Sequence, residues 1–234
     1  MKVAIIQSNY LPWRGYFDMI KEADLFIIHD DLQYTKGDWR NRNQIKTLKG
    51  LKWITVPVSY TKTDQTIDRT PIDYTQKWVK KHLSLIETNY RNTPYYSFYM
   101  GMLKEIISVH YNTISELNIV LLKWICRELG IKTPILMSRD LQLEGSKTDR
   151  LIDALKKVGA SSYLSGPKAK DYLEEDKFAD NSIGLEYKVY DYPEYPQFHG
   201  EFAGNVSIID LLFHCGPDSK NYIQSLSPNE VIIP

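Results

Sequence analysis

Two cysteines, Cys126 and Cys215, are all that the 234 residues contain. They form no Cys-x-x-Cys pair, which excludes a disulfide framework and a cysteine-built metal site. Sparse cysteine suits a reducing compartment. Neither sign of charge predominates: Lys plus Arg and Asp plus Glu both number 29. Without a net field, composition gives no pull toward nucleic acid or an anionic membrane. No stretch approaches the roughly 20 apolar residues of a spanning helix. The opening MKVAIIQSNY carries too short an apolar run for a secretory signal. The expectation is a soluble, cytoplasmic protein with no membrane insertion and no nucleic-acid partner. No paired histidines at helical spacing and no Gly-x-Ser-x-Gly elbow occur, so neither a metal site nor a hydrolase nucleophile is expected.

The most informative stretch is Val3 to Lys46. The apolar run Val3-Ala4-Ile5-Ile6 gives way to polar Gln7-Ser8-Asn9-Tyr10, then Leu11-Pro12-Trp13-Arg14-Gly15. A helix-like piece with Phe17, Ile20 and Ala23 follows. A second apolar run, Leu25-Phe26-Ile27-Ile28, ends on His29-Asp30-Asp31. Strand, loop, helix and strand in this order open a parallel α/β unit. Ligands of open α/β sheets sit outside the carboxyl ends of the strands. Gln7, Asn9, Tyr10 and Trp13 after the first strand, and His29, Asp30 and Gln33 after the second, are therefore candidate site residues.

Residues 35–46, TKGDWRNRNQIK, form a dense polar cluster. If extended, Arg40 and Arg42 share one face, and Asn41 and Asn43 the other. Paired arginines suit phosphate or carboxylate, and Lys46 adds a third cation. Trp39 could stack on a ring. Lys49-Gly50 predicts a turn into a strand over Trp53–Val58, making a hairpin beside the parallel unit, with Pro57 placing that strand at an edge.

Three successive helices are expected over about 75–130, read as a helical insertion on the sheet. Thr113 and Glu116 form a capping-box pattern for the third, and Gly130 ends it. His82 and His110 on these helices read as packed or surface histidines. The alternation then resumes with a strand at Pro134–Ser138 and a helix capped at Ser146. A short strand, Ser162–Leu164, runs into Ser165-Gly166-Pro167-Lys168. A strand entering Ser-Gly and then a helix presents backbone N–H groups to an anion, so Ser165, Gly166 and Lys168 join the candidates. The glycines and lysine of a P-loop are missing. Leu185–Tyr190 alternates as a half-buried strand, Ser207–Asp210 opens the last helix, Gly216 ends it, and Val231–Ile233 could add an edge strand. No repeat or linker appears. The expected fold is a single α/β domain over 1–234, with a mainly parallel open sheet flanked by helices, Rossmann-like or nucleotidyltransferase-like.

A general base could come from His29, His199, His214, Asp30 or Asp210. Imidazole titrates near working pH, whereas a carboxylate needs desolvation. Asp30, His29 and His199 are the catalytic candidates. His214 and Cys215 are adjacent, and adjacent helical residues do not face each other, so Cys215 reads as a buried structural thiol.

In combination, these motifs resemble the WbqC-like protein family. The matching residues are Gln7 to Gly15 (QSNYLPWRG), Asp30-Asp31-Leu32-Gln33-Tyr34, Arg40-Asn41-Arg42-Asn43 with Ile45-Lys46, Tyr163-Leu164-Ser165-Gly166, and Ser207-Ile208-Ile209-Asp210 with Gly216-Pro217. The resemblance implies a place in bacterial O-antigen or related surface-polysaccharide synthesis. It also implies glycyl-type transfer of an aminoacyl or acyl group to an amino sugar. The implied partner is a nucleotide-sugar. Coenzyme A or an acyl-carrier protein is the candidate acyl donor, with no resident cofactor, and a homo-oligomer is a candidate assembly. Two places depart from the family pattern: Ile6 and Ser8 flank Gln7 where His and Pro are usual, and His214-Cys215 stands where Asn is common. A weaker resemblance, to nucleotidyltransferases, rests on the strand, the Pro12-to-Gly15 turn and the helix. Arg14-Gly15-Tyr16 there lacks the His-x-Gly-His motif. The alternatives are thus a nucleotidyltransferase-like enzyme without its histidines, or a non-catalytic nucleotide-sugar-binding protein.

Overall fold

A computed structural model describes residues 1–61 and 64–234. Its centre is a six-stranded sheet. The strands are β1 (Lys2–Ile6), β2 (Leu25–Ile28), β5 (Ile135–Met137), β6 (Ser162–Ser165), β7 (Gly184–Tyr187) and β8 (Glu230–Ile233), ordered β5-β2-β1-β6-β7-β8. The first five run parallel, and β8 is antiparallel to β7. The edge strand expected near Val231 is this β8.

Alternation along β1 and β2 builds two cores. Val3, Ile5, Leu25 and Ile27 face one side, where Ile152, Leu155 and Phe178 from α5 (Lys147–Lys157) and α6 (Asp176–Asp180) pack. Ala4, Phe26 and Ile28 face the other. There they meet α1 (Arg14–Glu22), α4 (Ile114–Glu128) and α7 (Ile208–Cys215) through Phe17, Ile20, Leu121, Ile209 and Phe213. A strand buried on both faces must be apolar throughout, which is why β1 and β2 read as continuous runs.

Helices α2 (Trp78–Tyr90), α3 (Tyr96–Ser108) and α4 lie between the hairpin and β5. The capping box of α4 is formed: Thr113 Oγ1 accepts from the Glu116 N–H, and the Glu116 carboxylate accepts from the Thr113 N–H. Gly130 and Gly159, beyond α4 and α5, take positive φ, as glycine does past a helix end.

Four local expectations change. The hairpin strands are β3 (Arg42–Thr47) and β4 (Gly50–Thr55), so Pro57 lies beyond β4, and the pair forms its own two-stranded sheet. Ser146 and Ser207 precede α5 and α7 without capping them through their side chains. The Ser207 hydroxyl instead donates to the Leu11 carbonyl at 2.8 Å. After Gly166 comes a single 3-10 stretch, Pro167–Asp171, rather than an α-helix, so no long row of peptide dipoles backs an anion there.

Candidate functional site

The chain's path through the sheet reverses beside β1. The connections from β1 to β2 to β5 run one way, and β6 and β7 lie on the other side of β1. The crevice between the loop after β1 and the turn after β6 is thus the topological switch point.

The loop after β1 is tightly specified. Leu11 adopts a left-handed conformation, φ +44°, unusual for a γ-branched residue. Its carbonyl accepts from Asn43 Nδ2 at 2.8 Å and from Ser207, and the Tyr10 N–H donates to the Trp39 carbonyl at 3.1 Å. The Ser8 N–H donates to Asp30 Oδ1 at 2.7 Å, and the Ser115 hydroxyl donates to Asp30 Oδ2 at 2.5 Å. Asn118 Nδ2 reaches Ser8 Oγ at 3.1 Å and the Arg40 carbonyl at 2.8 Å. Burial raises the Asp30 carboxyl above its ordinary pKa, and the Ser115 and Ser8 donors act against that shift.

Arg40 crosses over this loop. Its Nη1 donates to Asn9 Oδ1 and to the Gln7 carbonyl (3.3 Å), and its Nη2 lies 3.4 Å from Asp38. Opposite stand Ser165, buried, and Gly166, whose Cα faces the Tyr190 hydroxyl so closely that an added Cβ would sit 3.3 Å from it. Trp13, half-buried, packs edge-on against Tyr190 and Tyr192. Tyr172 stands exposed beyond the 3-10 turn, and the Arg40 charge acts on it across the crevice.

A second cluster lies at the ends of β2 and β5. Arg150, from α5, donates through Nε to His29 Nε2 at 3.2 Å and through Nη2 to Asp31 Oδ2 at 2.5 Å. The Ser138 hydroxyl donates to Asp31 Oδ1. His29 Nε2 is therefore an acceptor, and the neutral ring carries its proton on Nδ1. Nδ1 makes no hydrogen bond among the described residues. Burial, with the Arg150 cation adding to it against Asp31, lowers the His29 pKa to about 4.

The fold separates the predicted residues. Gln7, Asn9, Trp13, Arg40, Ser165 and Gly166 border the crevice. His29 and Asp30 follow β2, one strand away. Asn41 and Asn43 are buried, spending their amides on the carbonyls of Val56 and of Tyr10 and Leu11. Tyr10 is fully buried against His82, its hydroxyl 3.1 Å from Nδ1. Arg42 donates to the Gly37 carbonyl and stacks over Trp53. Lys168 is exposed on the 3-10 turn, and Gln33 is exposed beside its β-bridge to Thr66. Lys46 is buried, with Nζ donating to Gln197 Oε1 (2.8 Å) and to the carbonyls of Gly200 and Glu201. His199 Nε2 lies 3.0 Å from the Asn89 carbonyl, and no hydrogen bond joins it to His29 or Asp30 among the described residues. Arg150, Ser138, Ser115 and Asn118 were not expected. Each sits on a helix or helical turn whose polar positions look like ordinary surface in sequence. Burial pushes the Cys215 thiol up to about 11, so it stays protonated near neutrality.

These features define an open, mostly parallel α/β protein with a polar switch-point edge. The chain belongs to the WbqC-like protein family, whose sequence model matches residues 7–222. Over 226 residues, 95% of this chain and 97% of the relative, it is 45% identical to a Mycobacterium tuberculosis protein named Uncharacterized protein Rv1507c. No solved structure matches it. Among the described residues, no helix is long and apolar enough to cross a membrane.

Proposed function

We propose that this chain moves an acyl or aminoacyl group onto the amine of a nucleotide-linked amino sugar in surface-polysaccharide synthesis. The observation that carries this reading is the switch-point edge, with Gln7, Asn9 and Arg40 on one side and Ser165 and Gly166 on the other. Such edges take nucleotides in open parallel sheets, and an arginine over the loop after β1 suits a phosphate there. In the reaction, the free amine attacks the acyl carbonyl carbon. A C–N bond forms as the donor's C–O or C–S bond breaks, and the ammonium proton passes to a base. The Nδ1–H of His29 is suited to hold the developing oxyanion. Asp31 beside it is suited to take the proton. Asp30, saturated by Ser8 and Ser115, positions the loop.

The test is a thermal-shift panel of UDP-hexosamine, UDP-hexose, ATP and acyl-coenzyme A. A ligand at a hundred times its Kd stabilises the fold by roughly 2.7 kcal/mol, on the order of 5–10 °C for a chain of this size. We expect the amino-sugar nucleotide to stabilise the protein, and the Arg40→Ala variant to lose that shift. A shift with ATP alone would favour the nucleotidyltransferase reading. Binding without turnover in the presence of an acyl donor would favour a non-catalytic role.

A further inference from the structure

We propose that the outer face of the β3–β4 hairpin, together with Trp39, is a saccharide-binding shelf that takes the apolar C–H face of a hexopyranose ring. Strand alternation divides the open end of this hairpin, before Lys46 turns in under residues 197–201. Asn43, Ile45 and Ile54 point inward and are buried, while Arg42 and Gln44, with Trp53 and Thr55 across from them, share the outer face. Trp39 lies against that face, its ring centroid 5.2 Å from that of Trp53 and inclined by 41°. Both residues stay part-exposed, 40% and 39%, although the Arg42 guanidinium covers one face of Trp53. Two adjacent exposed tryptophans add little to the core, and such patches mark binding surfaces.

Hydrogen bonds hold the backbone of the shelf in place. The Trp39 N–H donates to Asp38 Oδ1 at 2.7 Å, and the Trp39 carbonyl accepts from Tyr10, tying the shelf to the loop after β1. The Arg42 guanidinium lies 4.2 Å from the Trp53 ring centroid and is anchored on the Gly37 carbonyl through Nη2. Its Nε is buried with no acceptor, and its Nη1 makes no hydrogen bond among the described residues. Aromatic faces edged by planar polar side chains such as Arg42 and Gln44 match a ring with C–H bonds on one face and hydroxyls around its rim. The inclination of the two indoles forms no parallel slot, so a flat base could stack on one of them only. Trp39 is the neighbour of Arg40, which reaches the Gln7 carbonyl, so the shelf adjoins the proposed phosphate crevice. The inference rests on that nucleotide-sugar reading and adds where the sugar lies.

Nuclear magnetic resonance of the five tryptophan indole N–H groups tests it, with Trp39→Phe and Trp53→Phe assigning two of them. The probes are methyl glucosaminide, UDP and UDP-N-acetylglucosamine. We expect the glycoside and the sugar nucleotide to shift the Trp39 and Trp53 signals, and UDP to leave them in place. Trp53→Ala should weaken glycoside binding about tenfold, the scale of truncating one aromatic anchor. Its melting temperature should fall by only a few degrees, the loss of the Trp39 and Arg42 contacts, and Trp53→Phe should retain part of the affinity. The inference is overturned if the glycoside moves neither indole, if Trp53→Ala binds as the wild type does, if UDP alone moves these signals, or if they move with protein concentration in the absence of sugar. Glycoside binding on the shelf with no UDP binding anywhere would leave the shelf standing and remove the nucleotide reading.

Discussion

Two clusters in this protein hold the same kinds of side chain and differ in what is left over. At the carboxyl edge, Arg150, Asp31 and His29 form a line that leaves His29 Nδ1 without a hydrogen bond among the described residues and Asp31 partly open to solvent. Beneath α7, Asp210 is fully buried and saturated. Tyr90, Tyr195 and Gln197 each donate to its carboxylate at 2.7 Å. His214 accepts the Phe198 N–H at Nε2 and lies 2.7 Å from the Asp210 carbonyl through Nδ1, so both of its ring nitrogens are engaged. Lys46 joins this network through Gln197. Burial works against ionisation of Asp210, yet the donors from His214, Gln197 and Tyr195 hold its carboxyl below the ordinary range. A saturated buried network fixes packing, whereas an unsaturated group at a strand end is free for a ligand. Residue type alone does not separate the two; remaining valence and access do.

Removing Asp210 should have the largest effect. Asp210→Ala leaves two buried phenols and an amide without their acceptor, and should cost about 3–5 kcal/mol. Asp31→Ala, at a pair about one-fifth exposed, should cost less, about 1–2 kcal/mol. Urea melts of the two variants measure the contrast, and equal losses would erase it.

Acid should come next. His29 and His82 both have folded pKa values near 4 against an ordinary 6.5, chiefly through burial. His82 is held neutral between the Tyr10 hydroxyl and the Thr55 carbonyl. The unfolded chain binds more protons between these values, so stability falls as pH drops from about 6.5 toward 4. Each histidine contributes up to ~3 kcal/mol of that loss. Denaturant melts at pH 7.5 and pH 5 should show the decline, and His29→Gln should make it shallower. An unchanged slope in that variant would mean that His29 is not buried in its neutral form.

Arg150→Met breaks the same ion pair as Asp31→Ala and should cost a comparable amount of stability. Its signature is elsewhere: without the neighbouring cation, the His29 pKa should rise from about 4 toward its ordinary value. A nitrogen-detected titration reads this directly. No rise would show that burial alone sets the pKa.

Much of the fold was legible in the sequence because its signals are local. The apolar runs at Val3–Ile6 and Leu25–Ile28, the capping box at Thr113 and the glycines after α4 and α5 encode β1, β2 and the helix ends through side-chain period and backbone freedom. The sites were legible only as strand ends. Asn41 and Asn43 resemble ligand groups in sequence, yet their amides close off the carbonyls of a folded-back loop. Lys46 looks like a free cation and is sealed under residues 197–201.

By itself, then, the sequence determined the parallel α/β alternation, the apolar interiors of the strands and the polar residues at their carboxyl ends, since each depends on neighbours a few positions apart. Only the tertiary structure decided which polar groups would be used up. Arg150 meets His29 across 121 positions, and Tyr90 meets Asp210 across 120. No local pattern carries that information, because the partner that saturates a group, or leaves it free, is brought by the packing of distant elements.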